Sequence, residues 1–167
     1  MTWYALLVTV VAVERIAELV VAQRNLAWSR DRGGVEFGAR HYPAMVTLHS
    51  ALLVGCLVEA MHRPFVPGLG WPMLALVLAA QSLRWWCIRA LGHQWNTRVV
   101  VIPDAPRVTG GPYRYFAHPN YVAVVVEGIA LPLVHTAWLT AVVFTALNAV
   151  VLRTRIGVEN TALASLR

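Results

Sequence analysis

The chain has 167 residues, of which 58% are apolar and only 13% charged, about half the charged share of a soluble globular domain. With a mean hydropathy of +0.58, a single core of this size cannot hide that much apolar surface. This excludes a water-soluble domain, a disordered chain and a disulfide scaffold, and points to an integral membrane protein with one domain over 1–167. All 14 basic residues are Arg, against 8 acidic ones, for a net charge of +6. They lie at the ends of apolar stretches or between them, so the positive-inside rule explains them and nucleic acid is not an expected partner.

The first apolar stretch runs from Thr2 to about Val21. It has no basic segment before it and no small-residue cleavage site after it, so it reads as a retained helix and not a signal peptide. Its second half carries Glu14, Arg15 and Glu18. Gln23 to Tyr42 is polar, with Arg24, Arg30, Arg32, Arg40 and the Gly33-Gly34 breaker, and reads as a loop with room for a short interfacial helix. A second span covers Ala44–Ala60, and His62–Gly70, rich in Pro and Gly, reads as a turn.

A third span covers Trp71–Leu91, with Trp85 and Trp86 near its end as in an interfacial aromatic belt. Gly92–His118 is polar and carries Arg98, Arg107 and Arg114. From Pro119 the chain is apolar to Leu133. Pro132 and His135 mark a tight break, and Thr136–Leu152 forms the last span, with a helical pattern continuing to the end. At ~1.5 Å per residue the fourth segment is barely long enough to cross ~30 Å of hydrocarbon. It therefore pairs with the fifth as a tight helical hairpin inside the bundle. The fold expected is an all-α bundle of about five transmembrane helices. With only Arg63 of the 14 Arg on the far side, the N-terminus is expected outside and the C-terminus in the cytoplasm.

Glu14, Arg15, Glu18, Arg84 and Glu127 lie inside apolar runs, where each is costly and hence a functional candidate. Interhelical ion pairing, such as Glu18 with Arg84 or Arg15 with Glu18, is the alternative. The densest polar and aromatic cluster is Gly110–Tyr121. Pro119 suits a first helical position, and the free N–H groups of that turn suit an anion such as a carboxylate. His118, Asn120 and Tyr121 crowd around it, and Asn120 shares a helix face with Glu127. Positions 148, 152, 155 and 159 form a second stripe, with Asn148, Arg155 and Glu159 along one helix face. There is no G-x-G-x-x-G and no phosphate loop. The histidines lack metal spacing, and Cys56 and Cys87 read as packing residues, so no metal is expected. His49 reads as an interhelical hydrogen-bonding residue.

Gly111-Pro112-Tyr113-Arg114-Tyr115-Phe116-Ala117-His118-Pro119-Asn120-Tyr121 resembles the G-P-Y-x-x-x-R-H-P-x-Y motif of isoprenylcysteine carboxyl methyltransferases. Arg155-Ile156-Gly157-Val158-Glu159-Asn160-Thr161-Ala162-Leu163 is similar to that family's R-I-x-x-E-E-x-x-L, and the resemblance covers roughly residues 70–165. Glu14-Arg15-Ile16-Ala17-Glu18-Leu19, Gln23-Arg24-Asn25, His41-Tyr42-Pro43 with His49, Leu83–Ile88 and Trp95-Asn96-Thr97 resemble its small bacterial branch. Some members of that branch O-methylate alkylpyrones or alkylresorcinols.

The resemblance implies a methyltransferase of the bacterial inner membrane that uses S-adenosylmethionine and opens to the cytosol. Its lipophilic small-molecule acceptor comes from the bilayer, and membrane lipids are its other partners. The cofactor pocket it implies is formed by the third-helix end, the following polar segment, the H-P-x-Y helix start and the C-terminal helix. Tyr113, Arg114, His118, Pro119, Asn120 and Tyr121 are the cofactor-site residues so implied. Arg155 and Glu159 are those where cofactor and acceptor meet, with Glu159 holding Arg155, and Glu127 is a base if the acceptor is a phenol. Two positions depart from the family pattern: Ala117 stands where Arg usually precedes H-P, with Arg114 as a replacement, and Asn160 replaces the second acidic residue. A small transporter, a membrane scaffold and a nicotinamide-dependent lipid reductase are the competing readings.

Overall fold

The computed structural model describes residues 1–103 and 105–164. Among them are five α-helices: α1 (Thr2–Arg30), α2 (Tyr42–Ala60), α3 (Pro67–Leu91), α4 (Pro119–Leu133) and α5 (Trp138–Ala164). Two short strands, β1 (Val35–Phe37) and β2 (Val99–Val101), pair antiparallel with Glu36 opposite Val100. The protein is an all-α membrane bundle. Segments of α2, α3 and α5 are long and apolar enough to cross a membrane, and α4 is a shorter apolar helix.

α1 departs from the expected bounds. Its 29 residues extend ~44 Å at the helical rise, well past the apolar stretch. Gln23 to Arg30 contains no Gly or Pro, so nothing stops the helix before the Gly33-Gly34 break. The added turns have work to do: buried Asn25 donates to the carbonyls of Trp95 (2.7 Å) and Gly92 (3.2 Å), tying α1 to the chain beyond α3. α3 also starts earlier than expected, at Pro67, because proline is well placed at a first helical position. It ends at Gly92, whose φ of +53° a residue with Cβ would not readily take.

The α4–α5 hairpin is as tight as expected, with only residues 134–137 between the helices. Thr136, at φ +56°, anchors the bend by donating its hydroxyl to the Pro64 carbonyl at 2.6 Å. α5 begins at Trp138, two residues later than expected, and its first turn is capped from another helix. Glu59 of α2 accepts from the N–H groups of Leu139 (3.1 Å) and Thr140 (2.8 Å), where a carboxylate is favoured by the helix dipole.

The apolar core joins all five helices through Tyr4, Val8, Leu52, Cys56, Val77, Leu131 and Phe144. Lipid removes most of the hydrophobic drive between helices, so close packing decides the contact. Gly128 of α4 shows this: a Cβ there would overlap the Phe144 ring of α5. Chain direction places the C-terminal ends of α1, α3 and α5 and the N-terminal ends of α2 and α4 together. We call this the Arg-rich end.

Midway along the bundle, α1, α3 and α4 share an ion cluster. Arg15 bonds Glu18 at 2.6 Å and the Gln81 side chain at 2.7 Å, and lies 3.4 Å from Glu127. Arg84 bonds Glu127 at 2.6 Å and approaches Glu18 at 3.7 Å. Glu14 accepts from Gln81 and Trp85. Both ion pairs anticipated from the sequence are therefore present.

Candidate active site

At the Arg-rich end β2 of the ribbon borders a cavity of about 530 Å³, within the range of small-molecule sites. Five segments line it: Ser29 near the end of α1, Leu91 at the end of α3, residues of the polar stretch between Gln94 and Thr109, the start of α4 with its approach, and Arg155 and Glu159 of α5. The ribbon draws on residues that favour strands, Val35 and Phe37 in β1 and the three valines of β2. Its orientation is fixed by Arg98, which bonds Glu36 at 2.6 Å and lies over the Tyr42 ring at 4.1 Å.

The helix start supplies one wall. Pro119 is buried at the first position of α4 and does not reach the cavity. His118 just before it stacks on Tyr121, with ring centroids 5.4 Å apart. The Tyr121 hydroxyl donates to Glu159 at 2.5 Å, and His118 Nδ1 lies 3.4 Å from the other oxygen of that carboxylate. Asn120 faces the cavity with a buried amide oxygen that has no partner among the described residues, and neither has the buried indole N–H of Trp95. Tyr113 also lines the cavity, and burial holds its hydroxyl well above the ordinary phenol value, so it stays protonated.

Arg155 is the unusual member. Its residue is 7% exposed. One guanidinium nitrogen donates to the Thr97 carbonyl at 2.8 Å, another meets the Met45 sulfur, and Nε has no partner among the described residues. Its centre lies 5.6 Å from the Tyr121 ring. No carboxylate lies within ion-pairing distance of it among the described residues. Glu159, expected to hold it, is engaged by Tyr121 and His118 instead. A buried cation left without a counter-ion is costly, and here it borders an open cavity.

The sequence-derived residues thus separate into groups. Tyr113, His118, Asn120, Tyr121, Arg155 and Glu159 meet at the cavity. Arg114 is exposed and does not line it, whereas Ala117 does. Glu127 lies two helical turns beyond Asn120, bound to Arg84 in the ion cluster. Arg98 and Arg107 line the cavity and were not singled out as site residues. Met45 and the Thr97 carbonyl, which position Arg155, carry no sequence signal, since one is a sulfur contact and the other a backbone atom.

A profile of the isoprenylcysteine carboxyl methyltransferase (ICMT) family matches residues 73–165, more than half of the chain and the part that holds most of this cavity. The chain belongs to this family. It is similar to the uncharacterized protein YpbQ of Bacillus subtilis (strain 168), with 36% identity over 159 residues that cover 95% of each chain. It is also similar to an uncharacterized protein of Haemophilus influenzae, with 24% identity over 140 residues, 81% of this chain and 80% of the other. No solved structure matches it. As a member of the ICMT family with three long apolar helices, it is an integral membrane protein of methyltransferase type.

Members of the ICMT family in general use S-adenosylmethionine, and the lining suits that group. The cavity offers a carboxylate, Glu159, for a cationic sulfonium. It also offers Tyr113 as an aromatic surface and, in the Asn120 amide oxygen and the Trp95 indole N–H, an acceptor and a donor for polar edges.

Proposed function

We propose that this protein is an S-adenosylmethionine-dependent O-methyltransferase that acts on an acidic oxygen, carboxylate or enol, of a lipophilic acceptor drawn from the bilayer. The observation that carries this reading is Arg155, buried beside the cavity with no carboxylate partner among the described residues. Its planar guanidinium suits a carboxylate or enolate and is already aimed by the Thr97 carbonyl. S-adenosylmethionine, when bound, supplies an electrophilic methyl group; the new bond is methyl carbon to acceptor oxygen, and the bond broken is methyl carbon to sulfur.

The chain's own residues bind, orient and shield. Glu159, held by Tyr121 and His118, presents negative charge to the cationic side of the site. Asn120, Trp95 and Tyr113 would hold the cofactor's polar and aromatic parts. Arg155 would take the acceptor anion and fix the position of its oxygen, and such fixed geometry contributes most to a displacement of this kind. An acid of this kind is ionised at neutral pH, so no strong general base is required. Glu127, engaged by Arg84 and Arg15, serves the bundle in this reading. An alkylpyrone is the first acceptor to try, and a prenylcysteine analogue the second.

We assign the Arg-rich end to the cytoplasmic face of a bacterial inner membrane, on the strength of its Arg content. Reporter fusions after Arg167 and within Pro64–Gly68 then report opposite sides; the same side for both contradicts the assignment. The activity itself is tested by binding of S-adenosylhomocysteine to purified protein. Micromolar-range affinity is expected, and undetectable binding by folded protein contradicts the reading.

A further inference from the structure

Among the described residues, three arginines border the cavity, Arg98, Arg107 and Arg155, against a single carboxylate, Glu159. The three are not equivalent. Arg98 is already matched, since it bonds Glu36 at 2.6 Å and lies over the Tyr42 ring. Arg155 is buried on α5 against Met45 of α2, inside the helix bundle. Arg107 lies in the polar stretch between β2 and α4 and is exposed. No carboxylate lies within ion-pairing distance of Arg107 among the described residues. Arg114, expected to replace the Arg that is missing at Ala117, does not line the cavity, whereas Arg107 and Ala117 both do.

The proposed reaction brings two anions to this cavity. One is the acidic oxygen of the acceptor; the other is the α-carboxylate at the amino-acid end of S-adenosylmethionine, which is ionised at neutral pH. Two of the bordering arginines, Arg107 and Arg155, are free of a carboxylate among the described residues to meet them. We propose that Arg107 takes the α-carboxylate of S-adenosylmethionine, which leaves Arg155 to the acceptor anion. This inference rests on the methyltransferase reading and adds to it a residue that selects a cofactor bearing that carboxylate. The allocation follows from where the two arginines sit. A water-soluble cofactor meets the exposed polar stretch that carries Arg107, and a lipophilic acceptor meets the helices that bury Arg155. The guanidinium fork suits a carboxylate through paired N–H donors, and Glu159 is left to face the cofactor's positive groups.

The test compares S-adenosylhomocysteine with its decarboxylated form, in which hydrogen replaces the α-carboxylate and the ammonium, thioether and adenosine remain. In calorimetric titration the wild-type protein is expected to bind S-adenosylhomocysteine roughly tenfold more tightly. Arg107→Ala brings the two affinities to within about threefold by weakening S-adenosylhomocysteine alone, and Arg155→Gln keeps the wild-type ratio to within about twofold. Binding of the decarboxylated ligand reports that the variant is folded. A merely structural role for Arg107 weakens both ligands together and leaves the ratio unchanged, which overturns the inference. Equal binding of the two ligands by the wild type also overturns it, a result that needs no variant to fold. So does a ratio lost in Arg155→Gln but kept in Arg107→Ala, which exchanges the roles of the two arginines. Folded protein that binds neither ligand overturns the methyltransferase reading beneath it.

Discussion

Two groups of charged residues sit a few turns apart in this bundle, and they are built on opposite plans. In the ion cluster of α1, α3 and α4, each charged side chain meets a partner of opposite sign or a polar side chain: Arg15 with Glu18, Arg84 with Glu127, Glu14 with Gln81 and Trp85. At the cavity Arg155 is as deeply buried as Arg84 and, among the described residues, has no carboxylate beside it, nor has the amide oxygen of Asn120 a partner. A cation in lipid is costly in both places. Where the protein itself meets the charge, the residue fastens helices; where it does not, the missing partner in the function proposed above is a ligand. The two clusters look alike in sequence, as charges within apolar runs, and only the inventory of partners tells them apart.

The largest effect expected from this contrast is in activity. Arg155→Lys keeps the charge and loses the planar fork. Transfer should fall at least roughly a hundredfold, while S-adenosylhomocysteine affinity changes only a few-fold. Equal activity in a radiolabel assay would place Arg155 with the fastening charges. Next in size is Arg84→Met. Removing Arg84 takes from Glu127 its 2.6 Å partner and leaves Arg15 alone to meet both Glu127 and Glu18, which should cost about 3 kcal/mol of stability. The double variant Arg84→Met, Glu127→Gln should lose less than the single one in thermal unfolding. A double variant less stable than the single would show that the pair does not act as one unit.

His118→Ala is expected to be milder. It removes the ring that stacks on Tyr121 and neighbours Glu159, so S-adenosylhomocysteine affinity should drop roughly three- to tenfold with the unfolding midpoint little changed. Calorimetric titration separates that from a general loss of fold.

The smallest effect concerns His41, in the turn before α2. Burial, and secondarily the Arg155 charge, hold its imidazole below the ordinary value. The neutral form is favoured on folding, so its contribution is fully present above pH ~6.5 and is lost as the pH falls through the lowered value. His41→Gln should shrink the difference in unfolding midpoint between about pH 7.5 and pH 5. An unchanged difference would assign acid sensitivity to other groups.

The helices were readable because their cause is local. Apolar runs of membrane length, Pro119 at a helix start and the Pro132–His135 break each act within a few residues, so α2, α4 and the hairpin follow closely from sequence. So does the site's core, since His118, Asn120 and Tyr121 are near in sequence, as are Arg155 and Glu159. The extension of α1 was not readable as such, because Gln23–Arg30 is polar enough for a loop and its helical state is reinforced by Asn25 reaching the Gly92 and Trp95 carbonyls. The β1–β2 pairing joins segments more than sixty residues apart, and three-residue strands give too little alternation to see. The engagement of Glu159 by Tyr121 rather than by Arg155 depends on how α4 meets α5, which helix periodicity does not specify.

Transfer of a labelled methyl group to a lipid-soluble product tests the central claim most directly. Purified protein in lipid nanodiscs is incubated with methyl-labelled S-adenosylmethionine and the lipid extract of its own membranes, and the organic phase is counted. The account predicts label in one long-chain acidic compound, as a base-labile ester or a stable enol ether, and little label with Arg155→Lys. No organic-phase label from protein that binds S-adenosylhomocysteine, or label on a short water-soluble acid with Arg155→Lys fully active, would contradict it.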